Sequence, residues 1–212
     1  MSFCFKEDFP ELSELKEAVS EALGNDIVML ASTADEGCNA KGQWPAQCEG
    51  VIRIAACTPN GAYIERTTRP HDEETFALQG QGIELKFQEV GPEDASHKVS
   101  GSSVATAMAA GTASLILACR RLVLSQHRSQ TSPGEHTSRF AGHRRDSVKE
   151  IMNRMAEGSE TKYVKPWTVL SAVSGESDHV LRAIAQMFKD SEAVHPRNVS
   201  PPSQIFGEFS GH

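Results

Sequence analysis

No two cysteines are spaced two residues apart, and no His/Cys cluster carries zinc-ligand spacing, so a structural metal is not expected. The cysteines (Cys4, Cys38, Cys48, Cys57, Cys119) are odd in number and cannot all pair within one chain, which points to a reducing, intracellular compartment. The first residues lack the continuous apolar region of a secretory signal, because Lys6, Glu7 and Asp8 interrupt Met1 to Pro10. Positive charge is also in short supply. A net charge of -7 excludes a general nucleic-acid binder, which neutralises phosphates with clustered Lys and Arg. There is no P-loop. Gly80-Gln81-Gly82 begins like a dinucleotide fingerprint, but the third glycine is missing and a strand pattern follows where a helix must start. No cofactor is implied.

What is present is enough for one sizeable core: 212 residues, 39% hydrophobic and 23% charged. Met1 to Phe5 is short and apolar, as a strand would be. Pro10 opens a helical pattern with Glu11 and Glu14 in its first turn; Leu12, Leu15, Val19, Ala22 and Leu23 share a face, and Gly24 supplies a stop. Ile27 to Ala31 and Val51 to Ala56 are compact apolar runs of buried-strand length, the second closed by Pro59, Asn60 and Gly61. Ile83, Leu85 and Phe87 alternate with polar residues like a half-buried strand. Interleaved strand and helix signals predict an α/β fold with a parallel sheet flanked by helices.

Val99 to Cys119 holds no charge, and from Ser103 onward Ala, Gly, Val, Leu, Ile and Met surround the whole helical circumference. Such a helix is expected to be buried on all sides. Its length, with Arg120 and Arg121 following, would also suit a membrane span, but its Ser, Thr and Gly content lowers its hydrophobicity, and no membrane is expected. After it the composition turns to Ser, His, Arg, Gln and Pro. The spacing then predicts helices over Arg144 to Met155 and His179 to Phe188, followed by a proline-bearing tail. Arg120, Arg121, Arg128, Arg139, Arg144 and Arg145 make a locally basic stretch, read as solvated linker.

The stretch with most chemical content is Gly101-Ser102-Ser103-Val104-Ala105-Thr106-Ala107-Met108-Ala109-Ala110-Gly111. A serine at a helix N-terminus sits where free N–H groups and the positive dipole end stabilise a developing oxyanion. The same serine can equally be only the N-cap of a core helix. The stretch resembles the G-T-S-M-A-x-P-x-x-A-G signature around the active serine of subtilisin-like proteases. Further blocks follow in that family's order. Met1-Ser2-Phe3 is similar to its M-S-L-G strand, and Ile27 to Gly37 to the strand leading into A-A-G-N-x-G. Trp44-Pro45-Ala46 with Val51 to Ala56 resembles Y-P-A and V-I-x-V-G-A, and Phe76 to Ile83 the turn into A-P-G-V.

The resemblance implies a partial subtilisin-like fold over residues 1–124, a flexible linker over 125–143, a helical C-terminal extension over 144–190 and a tail over 191–212. It implies a serine endopeptidase acting on a peptide or protein substrate. Ser103 would be the nucleophile and its N–H one oxyanion donor, and Ser2, Phe3 and Cys4 with Ser32, Thr33 and Ala34 would flank the substrate pocket. Asp35 stands where the family has its oxyanion-hole asparagine; the alternative is a solvated Asp-Glu-Gly loop. The D-x-G and H-G-T contexts of the other two triad members have no counterpart, so the N-terminal part of the catalytic domain is expected to be missing. None of His71, His97, His127, His136, His143, His179, His195 and His212 precedes a glycine, and His71 beside Asp72 cannot face it as a base faces its orienter. A chain without that base would be nearly inactive, or would serve as a non-catalytic module that binds peptides.

Overall fold

The computed structural model of the protein describes residues 1–2, 12–36, 44–67, 75–86, 96–130, 143–157, 161–170 and 183–188. Helix α1 (Leu12–Gly24) buries Leu12 and Val19, one face of the expected stripe. The left-handed turn that ends it falls at Asp26 (φ 56°), not at Gly24. There the Ile27 N–H returns to Ala22 O and the Asp26 N–H to Leu23 O, which satisfies the last helical carbonyls.

Four strands follow in one mostly parallel sheet: β1 (Leu30–Ser32), β2 (Ile52–Cys57), β3 (Thr75–Gln79) and β7 (Lys162–Val164), with the short β6 (Ala156–Glu157) antiparallel at the edge. The order is β1-β2-β3-β7-β6. The chain start runs beside β1, because the Met1 amino group donates to Leu30 O and the Ser32 N–H to Met1 O at 3.0 Å, the pattern of a parallel pair. β2 and β3 are buried almost throughout, as strands covered on both faces must be. Alternation sorts their side chains. Leu30, Ile54, Ala56, Phe76 and Leu78 join the main core with helix α2 (Ser102–Gln130), whereas Ala31 packs with α1 and Cys57 and Ala77 with Tyr163.

Several expectations need correcting. The strand placed over Ile27 to Ala31 begins at Leu30, and Ile27 is half exposed. The strand expected around Ile83 and Leu85 forms as β4 (Ile83–Lys86), but it pairs only with β5 (Ser96–Val99) in a separate two-stranded sheet, and Leu85 is exposed; Phe87 lies outside the described residues. α2 is not buried on all sides. Ala105, Ala109, Ala113, Ile116, Cys119 and Val123 face the sheet, while Met108, Leu115 and Leu122 are 40–49% exposed. The run Ser102–Ser125 is long and apolar enough to cross a membrane by length and composition, yet its inner stripe is packed on β-strands.

The expected linker over 125–143 begins as helix, since α2 continues to Gln130, and residues 131–142 lie outside the described part. The described residues of 144–190 pack into the same core. Helix α3 (Arg144–Met155) buries Val148, Ile151, Met152 and Met155 in the main core, Ile184 and Phe188 of the helical segment 183–188 join them, and β7 enters the sheet. After β7 comes the short helix α4 (Pro166–Leu170). A polar stretch separates these parts in sequence but not in space, because the apolar spacing that resumes after it still needs a partner surface. The tail over 191–212 lies outside the described residues.

Candidate active site

Three segments meet at the C-terminal ends of the parallel strands, where α/β sheets characteristically hold their ligands: the chain start, the residues after β1, and the first turn of α2. Two glycines let α2 come this close. The Gly101 N–H donates to Gly80 O at 2.7 Å. A Cβ on Gly80 would meet Ala56 Cβ at 2.6 Å and Gly101 O at 2.7 Å; Gly101 itself has φ 138°, which L side chains rarely adopt.

The two serines of the first turn have different surroundings. Ser102 is buried. Its N–H donates to Asp35 Oδ2 at 2.8 Å and its hydroxyl to Thr33 O at 2.5 Å, so two bonds that span more than sixty residues of sequence tie the helix start to the end of β1. Ser103 is exposed, and its hydroxyl donates to Ser2 O at 3.3 Å. The Val104 and Ala105 N–H groups both donate to Gly101 O. The Ser103 N–H, by contrast, has no backbone acceptor among the described residues, which leaves it free to meet an anionic oxygen. Neither serine side chain caps the helix. Asp35 does so from 67 residues away.

Asp35 is half-buried against the start of α2, where it acts as an acceptor. Besides the Ser102 N–H, it receives the Thr67 hydroxyl at 3.5 Å; Thr67 is fully buried and also reaches Ala56 O at 3.4 Å. Ser32, Thr33 and Ala34, at the end of β1 and just after it, are buried. Ser2 accepts the Ser103 hydroxyl through its carbonyl, while Phe3 and Cys4 fall outside the described residues. Thr67 gave no signal in the sequence, where it is one polar residue in a loop.

No imidazole among the described residues is bonded to Ser103. His143 immediately precedes α3, 3.5 Å from Asp26; His71, His136, His179, His195 and His212 are outside the described residues, as are the side chains of His97 and His127. Among the described residues no group of three His, Cys, Asp or Glu could hold a metal. The described cysteines do not compete with Ser103 as nucleophile. Burial pushes the Cys57 thiol up to about 12 and raises Cys48 and Cys119 as well, so all three stay protonated at neutral pH.

Known proteins share the fold that carries these residues. The profile of the Subtilase family matches residues 1–163, beyond the 124 residues expected to carry the likeness. Subtilisin-like protease het-Q2 of Podospora anserina is 28% identical over 110 residues, and Subtilisin-like protease 2 of Pseudogymnoascus destructans 24% identical over 103. These alignments take in 51% and 49% of this chain but only 30% and 25% of the relatives. Among solved structures, Patellamide maturation protease PatA superposes with a TM-score of 0.53 at 17% identity, covering 83% of this chain and 56% of that one. The PatG macrocyclase in complex with peptide gives 0.53 at 14% identity, covering 88% and 50%. At such identities the superpositions speak for the fold alone. With the profile matched over three quarters of its length, the chain belongs to the subtilase family of serine proteases.

Proposed function

We propose that Ser103 is the nucleophile of a serine endopeptidase site working by acyl transfer, and that this chain on its own turns over substrate negligibly. The observation that carries the reading is the contrast within one helical turn: Ser102 is held by two bonds, and Ser103 is left exposed, its N–H without a backbone acceptor among the described residues. In that role the Ser103 Oγ would attack the scissile carbonyl and form the acyl-enzyme bond as the amine leaves. The Ser103 N–H would meet the oxyanion, and water would then hydrolyse the ester. The attacking hydroxyl must give up its proton. Its partner here, the Ser2 carbonyl, accepts a hydrogen bond but cannot take a proton at neutral pH, so Ser103 remains an ordinary alcohol until a base is supplied.

Asp35 favours a second reading, a module that binds peptides without cutting them. A carboxylate accepting the Ser102 N–H offers no donor to an oxyanion and repels its charge. Losing one such donor costs on the order of a hundredfold to a thousandfold in turnover, a magnitude established on subtilisin, of the same family. Incubation with an unstructured casein-type substrate and a serine-directed phosphonate separates the possibilities. The expected result is neither turnover nor adduct; turnover with specific labelling of Ser103 would overturn the claim of inactivity.

A further inference from the structure

We draw no further inference here: the strongest candidate, the exposed apolar face of α2 at Met108, Leu115 and Leu122, carries nothing because nothing in the structure shows what covers it.

Discussion

The two faces of α2 share one backbone and one composition, yet they differ in almost everything that matters. Toward the sheet, Ala105, Ala109, Ile116 and Val123 are nearly or wholly buried, and the face begins with Ser102, bonded to Thr33 and Asp35. On the other side the helix shows Met108, Leu115 and Leu122 and begins with Ser103. The packed face fixes where the helix starts; the open face carries the hydroxyl we propose as nucleophile. A residue's place on this helix therefore tells whether its loss should be felt in stability or in chemistry.

The sharpest way to break that comparison is to substitute neighbours. Ile116→Ala should cost about 2–5 kcal/mol in denaturant unfolding, the range for truncating a buried aliphatic residue, whereas Leu115→Lys should stay within about 0.5 kcal/mol. A comparable loss at both positions would mean that the outer face is covered. In a longer polypeptide that supplies a base and its orienter, Asp35→Asn should hold or raise turnover, by up to roughly a hundredfold to a thousandfold if the amide serves the oxyanion; a large fall in kcat would contradict the acceptor role assigned here. Ser102→Ala should cost about 1–3 kcal/mol, because the Thr33 carbonyl loses a buried donor, while Ser103→Ala leaves the melting temperature unchanged. The smallest effect is expected at Cys57. Burial holds its thiol neutral, up to about 12 against an ordinary 9.0, so iodoacetamide at pH 8 should leave it unmodified in the native chain. The unfolded thiol ionises first, so the stability it contributes is intact below pH 9 and fades as pH rises toward 12.

Much of this architecture could be read from residue spacing. The stripe of α1, the apolar run that becomes β2 and the i, i+3, i+4 pattern of α3 each stand in the sequence because burial selects them. The serine block also stands where a helix begins, as its composition led one to expect. Other features carried no such mark. β7 is three residues long, too short for any periodicity, and its place beside β3 is a matter of packing. The uncharged composition of α2 tells which residues tolerate burial but not what covers them, so its open face was invisible. Asp35 would be the same letter whether it donated, accepted or met water, and only the 2.8 Å contact with the Ser102 N–H decides among these.

The central claim is spatial: peptides enter where the chain start, the residues after β1 and the first turn of α2 meet. Amide nitrogen-proton spectra of the isotopically labelled full chain, titrated with an unstructured octapeptide, test it directly. The account predicts that shifts concentrate at Ser2, Ser32 to Asp35, and Ser102 and Ser103. Shifts gathered instead along Met108, Leu115 and Leu122, with those residues unmoved, would contradict it.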